Sequence, residues 1–271
     1  MRSLLFAPAN HPRRAEKALA SDADAAILDL EDAVPEAEKP AARAALAAAA
    51  ALPRQIPFYV RINALSSYHG IADLAALPGS LDGIVIPKCE NAADVGAVAA
   101  WAPWADLIPI VETARGLHAA ADIAVASPKV RRLAFGALDF ALDLGLTPDG
   151  EETELAPYRA RLVMASRLSG REPPIDSPWP DFRDAASLRR SCERARRAGF
   201  QGKLCIHPDQ IAIVHAAFTP SLEETAEAER VVAAAEAAER LGHGAVQLDG
   251  RMIDAPVVTK AKRILAAAAK R

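Results

Sequence analysis

The sequence has few cysteines and no large excess of charge of either sign. Its 271 residues include only three cysteines, Cys89, Cys192 and Cys205, which are widely spaced and odd in number. They form neither a zinc-type pair nor a disulfide framework, which favours a reducing cytoplasm. The formal net charge of -3 gives no general attraction to nucleic acid.

Long apolar runs are missing as well. No stretch approaches the roughly 20 consecutive apolar residues of a membrane-spanning helix. The opening MRSLLFAPAN is interrupted too soon by Pro8 to be a signal peptide. We therefore expect a cytoplasmic protein that has no membrane partner and no nucleic-acid partner.

The apolar residues that are present fall into eight short runs, which alternate with segments of helical composition. Hydrophobic residues make up 51% of the chain and charged residues 25%, a balance typical of a globular protein. Continuous apolar runs indicate strands that are covered on both faces, and strands alternating with helices predict a parallel sheet. The eight runs are residues 3–8, 25–32, 58–63, 83–88, 107–113, 132–139, 173–176 and 203–208.

Eight strand–helix units in roughly 210 residues match the lower size range of a (β/α)8 TIM barrel. A doubly wound open sheet is the alternative α/β fold. That fold usually carries a glycine-rich phosphate turn after its first strand, where this chain has the proline-containing FAPANHP. The pattern therefore predicts the α/β class and a (β/α)8 barrel over residues 1–220.

A helical extension is predicted for residues 221–271. SLEETAEAERVVAAAEAAERLG has acids in its first turns, as the helix dipole favours, and PVVTKAKRILAAAAKR forms a second helix. Between them, HGAVQLDGRMIDAP is typical of a short hairpin or loop, with DG as the turn signal. A barrel closes without such a tail, so we expect it to cover a barrel mouth or pack on a neighbouring subunit.

Two predicted strands each end in a single acidic residue. Glu112 follows LIPIV in VETARG, and Asp139 follows LAFGAL in the sixth run. These acids could be surface residues, caps of the following helices, or two ligands of one metal ion at the barrel mouth. Other polar residues that follow strands are Asp29, Glu31, Asp32, Arg61, Asn63, Lys88, Asp176 and His207.

Convergence at one end of the barrel favours the metal hypothesis, because catalytic groups of such barrels lie at the carboxyl ends of the strands. Carboxylates without cysteine or histidine clusters suit a hard cation, and Mg2+ needs only one or two of them. Glu112 and Asp139 are the natural pair for Mg2+, with Mn2+ as the alternative ion. Arg61 offers a planar fork for a substrate carboxylate.

Several motifs give the chain a family resemblance. The quoted matches are RSLLFAPAN, DAAILDLEDAVPEAEKPAAR, VRIN, GIVIPK, VETARGL, LAFGALDFALDLG, GFQGKLCIHPDQI and GRMIDAP. In this order the sequence resembles the citrate lyase β-subunit-like family of Mg2+-dependent acyl-CoA lyases, within the HpcH/HpaI aldolase superfamily. The combination of DLEDAV, ETARG and MIDAP is specific, whereas VRIN or IPK alone is not.

The resemblance implies a fold, a reaction and a set of site residues. It implies a barrel assembled as homotrimers or hexamers, with Mg2+ on Glu112 and Asp139 and a substrate carboxylate on Arg61. It also implies that Asp254 of the MID motif reaches a neighbouring subunit's site and protonates a thioester enolate. The implied reaction is cleavage of a 3-hydroxyacyl-CoA of the citramalyl-, malyl- or hydroxymethylglutaryl-CoA type into a keto acid and acetyl-CoA or a related product.

Some roles stay open from the sequence. Asp29, Glu31 and Asp32 could orient metal-bound waters, or could orient Arg61 and Lys88, or could simply pair within the mouth. Lys88 and Arg14 are candidate substrate-binding residues, and NHPRRAEK could meet the phosphates of coenzyme A or form a solvated basic face. His207 is interpreted as a turn residue.

Rival functions are also open. Malyl-CoA thioesterase activity on the same site is one alternative, and the β subunit of a citrate lyase, acting on an acyl carrier protein, is another. A non-catalytic metal-binding scaffold is the third, although a scaffold has no need of Glu112, Asp139, Arg61 and Asp254 together.

Overall fold

Eight parallel strands close into a barrel in the first part of the chain. A computed structural model describes residues 1–240 and 245–269. The strands pair in sequence order and β8 closes on β1, so the predicted (β/α)8 barrel is confirmed. They are β1 Ser3–Pro8, β2 Ala25–Asp29, β3 Phe58–Arg61, β4 Gly83–Ile86, β5 Asp106–Val111, β6 Ala134–Phe135, β7 Ile175–Asp176 and β8 Gly202–Cys205.

Helices lie between successive strands, and one more follows β8. Their bounds are α1 Pro12–Leu19, α2 Lys39–Ala50, α3 Tyr68–Ala76, α4 Ala92–Trp101, α5 Ala114–His118, α6 Ala120–Val125, α7 Ala137–Leu144, α8 Ala156–Leu168, α9 Ala185–Ala198 and α10 Gln210–Phe218. Two short 3-10 turns, Glu36–Glu38 and Thr153–Leu155, precede α2 and α8.

The predicted strands extend too far at their carboxyl ends. The sixth run was predicted to be a strand as far as Asp139, but β6 ends at Phe135 and α7 begins at Ala137. Gly136 takes the cap position before the helix, and alanine and leucine, which are strong helix formers, follow it. Asp139 therefore lies in the first turn of α7.

Side chains that alternate along the strands fill the interior of the barrel. This core consists of Leu4, Ala25, Ile27, Tyr59, Val85, Ile108, Ile110, Ala134, Ile175 and Leu204. Because side chains repeat every second residue along a strand, the same inward series continues upward to Asp29, Arg61 and Glu112. This alternation, which the sequence alone does not reveal in such uniformly apolar strands, brings three charged groups to one mouth.

Asp176 has the opposite orientation, which corrects its place in the predicted ring of mouth residues. It follows the inward-facing Ile175 and is fully buried on the outer side of the barrel. Its Oδ1 accepts a hydrogen bond from Arg159 Nε at 2.8 Å, and its Oδ2 accepts one from Lys203 Nζ at 2.6 Å. Lys203 also donates to Ser191 Oγ at 3.0 Å. Asp176 thus ties two strands to α8 and α9.

Removal of the Asp176 carboxylate should destabilise the barrel. Asp176→Ala leaves Lys203 and Arg159 buried without this partner, and we expect the free energy of unfolding to fall by about 3–5 kcal/mol. Urea unfolding at neutral pH measures this change. Glu16→Ala, at an exposed acid of α1, is the matched control and should stay within about 0.5 kcal/mol of the parent. A loss of similar size in both variants would contradict the role of the ion pair.

The same network should be visible in the pH dependence of stability. Burial opposes ionisation of Asp176, but the charges of Lys203 and Arg159 outweigh it and hold the pKa of Asp176 below its ordinary value. A lowered folded-state pKa contributes stability that is present above the unfolded value of about 3.9 and is lost as the pH falls through the folded value. The wild type should therefore lose stability more steeply below about pH 4 than Asp176→Asn does.

The chain divides into two compact units, Met1–His215 and Ala216–Arg271. In the second unit, α11 (Leu222–Arg240) and α12 (Ala255–Ala268) flank an antiparallel hairpin of β9 (Val246–Leu248) and β10 (Arg251–Ile253). Both turn residues, Asp249 and Gly250, have positive φ angles of 48° and 77°, the signature of a type I′ turn. The two helices were predicted from the sequence, and of the hairpin or loop expected between them the structure has the hairpin.

The second unit has a small apolar core of its own. Its buried members are Ala228, Val231, Ile253 and Ala261. The parts of the predicted segments at residues 241–244 and 270–271 lie outside the described residues. The covering of a barrel mouth or a neighbouring subunit by residues 221–271 stays a prediction. No helix within residues 1–240 or 245–269 is both long enough and apolar enough to span a bilayer.

Candidate active site

A pocket of about 330 Å3 opens at the carboxyl ends of the strands. It brings together most of the residues that the sequence singled out for metal and substrate. Its lining includes Asp29, Asp32, Arg61, Glu112, Asp139, Phe6, Gly136, Ser177 and Ile206. The interior alternation of the strands explains why these side chains meet.

Glu112 is the buried acid of this pocket. Only 3% of the residue is exposed, and its Oε1 accepts a hydrogen bond from the backbone N–H of Lys88 at 2.6 Å. The cap of α5 is the next residue, Thr113, whose side chain accepts from Gly116 N. Glu112 is therefore neither a surface acid nor a helix cap, and two of its three sequence interpretations are excluded.

Two backbone segments approach the Glu112 carboxylate closely, at Lys88 and at Gly136. Lys88 has a φ of 45°, a left-handed conformation that is strained for a residue other than glycine and that tends to occur at functional sites. Gly136 passes so close that a Cβ atom there would lie 2.3 Å from Glu112 Oε2. Only glycine permits this approach of β6 to the carboxylate.

Asp139 lies on the pocket wall in the first turn of α7 and is half-buried. The cap position of α7 is Gly136, so Asp139 is not a cap. Burial, followed by the charges of Glu31 and Asp139, raises the pKa of Glu112 to about 8. Such crowding of carboxylates is what a cation relieves.

The donor set fits a magnesium ion. Zinc sites usually have three or four protein ligands. Among the described residues, no group of three histidine, cysteine or acidic side chains is placed to hold a metal ion. Mg2+ needs only one or two carboxylates and keeps several waters. Glu112 and Asp139 on one pocket wall meet that requirement.

Arg61 lines the same pocket and is held rigidly there. Its Nε and Nη2 donate to the two oxygens of Asp29, each at 2.6 Å, and the two residues are register neighbours on β3 and β2. The guanidinium lies over the Phe6 ring at 4.8 Å. Burial would lower the pKa of Arg61, but the charges of Asp29, Glu31 and Asp32 raise it above its ordinary value.

The side edge of the Arg61 fork is thus occupied by Asp29, a contact that the sequence did not specify. Nη1 lies 3.0 Å from Glu31 Oε2 and 3.3 Å from Asp32 Oδ2. Asp32 is the accessible partner, with 55% of its side chain exposed. The Nη1 group of Arg61 therefore lies between one buried acid, Glu31, and one exposed acid, Asp32.

The remaining acids of the DLED motif pair within the mouth. Lys88 Nζ contacts Glu31 Oε1 and lies 3.5 Å from Asp32 Oδ1. Burial raises the pKa of Glu31, and the Glu31 and Asp32 charges raise that of Lys88 against the effect of its burial. Of the open roles for these acids, the structure displays the pairing with Arg61 and Lys88.

Lys39 supports this segment and was missed from the sequence. Its buried ammonium donates to the carbonyls of Leu30 and Glu31, each at 3.0 Å, and to Asn63 Oδ1 at 2.6 Å. A lysine at the start of an alanine-rich helix is ordinarily exposed, so no local signal identified it. Asn63, predicted only as a strand-end residue, links this contact to Asp73.

A second pocket, of about 400 Å3, adjoins the first through the shared residues Phe6 and Ile206. Arg14 and Lys17 of α1 line it, as does His207. The His207 ring accepts a hydrogen bond from Asp209 N at 3.3 Å and stacks on Phe182 with centroids 4.5 Å apart. These are the contacts of a turn residue.

Asp254 belongs to the other unit of the chain. Its side chain caps α12 by accepting from Val257 N at 3.2 Å. This contact is the ordinary role of an aspartate before a helix. Any catalytic role for Asp254 is additional to this capping contact.

Comparison with known proteins places the chain among aldolases and lyases. A family model described as HpcH/HpaI aldolase/citrate lyase matches residues 2–208. A second, described as C-C bond lyase of the TIM-barrel fold, matches residues 167–270.

Curated relatives match over nearly the full chain. A citrate lyase subunit beta-like protein of Mycobacterium tuberculosis is 40% identical, over 96% of this chain and 93% of the relative. A (3S)-malyl-CoA thioesterase of Cereibacter sphaeroides is 38% identical, over 98% and 94%.

A solved structure has a similar fold over nearly the full length of the chain. The CitE protein of Mycobacterium tuberculosis, in complex with magnesium, acetoacetate and coenzyme A, is 38% identical. The match has a TM-score of 0.86 and covers 99% of this chain and 98% of that chain.

Proposed function

Because the chain belongs to the HpcH/HpaI aldolase/citrate lyase family and is a carbon–carbon lyase, we propose that it cleaves a 3-hydroxyacyl-CoA thioester. Substrates of the citramalyl-, malyl- or hydroxymethylglutaryl-CoA type would give a keto acid and acetyl-CoA or a related thioester. The observation that carries the proposal is the single pocket that Arg61, Glu112 and Asp139 line together. A fixed guanidinium that shares a pocket with two carboxylates suits a substrate that carries its own carboxylate.

Glu112 and Asp139 would hold Mg2+, with Mn2+ as the alternative ion. The raised pKa of Glu112 and the close approach of Gly136 support a site prepared for a cation. The magnesium in the 38% identical CitE structure supports the same assignment. When bound, the ion supplies a Lewis acid that lowers the pKa of the substrate hydroxyl and stabilises the developing keto acid.

Arg61 would orient the substrate through its carboxylate. Asp29 fixes the plane of the guanidinium through the side edge. The substrate carboxylate would take the place of the exposed Asp32 at Nη1. Lys39 keeps the backbone of the DLED segment in place behind these contacts. Orientation of this kind lowers the entropic part of the barrier.

The coenzyme A portion would extend from the active site into the second pocket. The two pockets share Phe6 and Ile206 and are therefore neighbours, as an elongated ligand would require. Arg14 and Lys17 offer positive charge for its phosphates at the far wall. The coenzyme A bound to the related CitE structure supports a ligand of this length.

We also propose that the active site is completed by a second copy of the chain, in a homotrimer or hexamer. Asp254 would then donate the proton to the thioester enolate, the second product of cleavage. A cover over the site would exclude water from that enolate. The support for this role is the family resemblance of the GRMIDAP segment.

Hetero-oligomers test the shared site. Asp254→Ala and Glu112→Ala should each be nearly inactive alone, and co-expression into mixed oligomers should restore part of the activity. Some sites would then combine an intact barrel with an intact Asp254 from another chain. A mixture of Glu112→Ala with Asp139→Ala is the matched control, since every barrel carries a lesion and no rescue is possible. Mixed oligomers, verified by mass spectrometry, that show no rescue would contradict the shared site.

A product assay tests the proposed reaction itself. The protein is incubated with Mg2+ and a panel of 3-hydroxyacyl-CoA thioesters, and the products are separated by chromatography. We expect a keto acid together with acetyl-CoA or a related thioester from one member of the panel. The absence of carbon–carbon cleavage across the panel would overturn the proposed function.

Thioester hydrolysis is the second candidate, favoured by the 38% identity to (3S)-malyl-CoA thioesterase of Cereibacter sphaeroides. The same pocket could bind malyl-CoA while water attacks the thioester. The assay separates the two reactions, because hydrolysis releases free malate and a thiol whereas cleavage releases glyoxylate and acetyl-CoA.

A further inference from the structure

We propose that Ser177 is a substrate-binding residue whose hydroxyl donates a hydrogen bond to the thioester carbonyl oxygen during cleavage. The proposal rests on the lyase reaction proposed above. It assigns a role to a buried hydroxyl of the active-site pocket that neither the metal pair nor Arg61 explains.

The position of Ser177 follows from the alternation along the end of β7. Ile175 faces the barrel interior and Asp176 faces outward, so Ser177 faces inward again. The residue is 2% exposed and lines the same pocket as Glu112 and Asp139. A polar group in this position is desolvated and needs hydrogen-bond partners.

The hydrogen bond that Ser177 makes leaves its proton available. Its Oγ accepts the backbone N–H of Ala137 at 3.0 Å, at the start of α7. Within the described part of the chain, this is the one hydrogen bond recorded for Ser177 Oγ. A hydroxyl that accepts a bond from the positive end of a helix becomes a stronger donor, because hydrogen bonds in series polarise one another.

The order of the strands gives the direction in which a substrate would lie. β3 and β7 are four strands apart in a closed barrel of eight and therefore face each other across the mouth. With the carboxylate on Arg61 of β3 and the hydroxyl carbon beside Glu112, the thioester points towards the far wall. That wall carries Ser177 and leads to the second pocket past Ile206.

The reaction develops negative charge on the thioester carbonyl oxygen, to which Ser177 would donate its hydrogen bond. The substrate hydroxyl gives up its proton to water, its oxygen forms the new carbonyl, and the adjacent carbon–carbon bond breaks. The electron pair of that bond moves onto the thioester, whose carbonyl oxygen becomes an enolate oxygen. The enolate carbon then takes up one proton, so protons and electrons balance. A donor aimed at the enolate oxygen stabilises the transition state more than the ground state.

Substitutions at Ser177 separate this role from a structural one. Ser177→Ala should lower kcat by about 100- to 1,000-fold, the usual effect of removing one donor to a developing oxyanion. Ser177→Cys keeps the size and a weak acceptor for the Ala137 N–H but is a poor donor, so it should lose a similar factor. Ser177→Thr keeps the hydroxyl and should retain most of the activity.

Two binding measurements show whether α7 has moved. The Mg2+ affinity, measured by calorimetric titration, shows whether Asp139 on α7 has kept its position. The oxaloacetate affinity in the presence of Mg2+ shows whether the part of the pocket that binds the keto acid is intact. Both affinities should be unchanged in the alanine and cysteine variants, because neither ligand has a thioester. If both affinities fall as far as kcat does, Ser177 merely anchors α7 and the proposal is overturned.

The outcome also separates this proposal from the proposed function. A wild type that cleaves no hydroxyacyl-CoA defeats the lyase reaction and the role of Ser177 with it. A wild type that cleaves its substrate, alongside alanine and cysteine variants of equal kcat, defeats the role of Ser177 alone.

Discussion

Replacement of either Glu112 or Asp139 by alanine is expected to abolish magnesium binding and lyase activity while the barrel stays folded. Each substitution removes one of the two carboxylates proposed to hold the ion. Loss of an outer-shell partner of a metal typically lowers affinity by about 10- to 100-fold, and loss of a direct ligand should exceed this. Calorimetric titration with Mg2+ and the product assay measure the two effects.

The fold should survive because both acids line the pocket and not the apolar core. Glu112→Gln is a closer test, since a glutamine can still accept the Lys88 N–H in the same space. Asp122→Ala, at an exposed acid of α6, is the matched control and should bind Mg2+ normally. Unchanged Mg2+ affinity in Glu112→Ala or in Asp139→Ala would remove that residue from the metal site.

Arg61→Lys should also have a large effect, although the charge is kept. Lysine cannot form the two parallel bonds to Asp29 and still offer an edge to a substrate carboxylate. We expect a loss of about 2 to 4 kcal/mol in transition-state stabilisation, roughly a 30- to 1,000-fold fall in kcat/KM. Steady-state kinetics with the substrate found in the panel measure this fall.

Binding measurements distinguish a loss of substrate binding by Arg61 from a loss of Mg2+ binding. Arg61→Lys should bind Mg2+ as the parent does but should bind oxaloacetate more weakly in the presence of Mg2+. Arg131→Lys, at a half-exposed arginine that precedes β6, is the control for replacing an arginine by a lysine outside the pocket. A variant whose kcat/KM stays within about threefold of the parent, less than 1 kcal/mol, would show that Arg61 does not hold the substrate.

The interpretation of single acids from the sequence was uneven for a physical reason. Glu112 and Asp139 line one pocket, because residues after parallel strands gather at one mouth whatever their exact orientation, and their role as metal ligands stays a prediction. Asp176 was wrongly included in that ring. β6 and β7 contain two residues each, too few to display an alternation from which an inward or outward orientation could be predicted.

The error in the predicted end of β6 had a similar cause. The run LAFGALD is apolar enough for a buried strand and contains residues that also favour a helix. Gly136 decides between them in the folded chain, since it must approach Glu112 closely and then cap α7. That closeness involves two segments from different strands, so no local window could have revealed it.

The sequence by itself determined the order of strands and helices, the barrel, the DG turn and the family, because these depend on local periodicity and on motifs. Only the tertiary structure decided which edge of Arg61 is occupied by Asp29, since the register of β2 and β3 brings the two residues together. It also decided that Lys39 is buried against two carbonyls, and that Ser177 faces the pocket. Strands covered on both faces are apolar throughout, so the direction of each side chain is set by barrel closure and not by the local pattern.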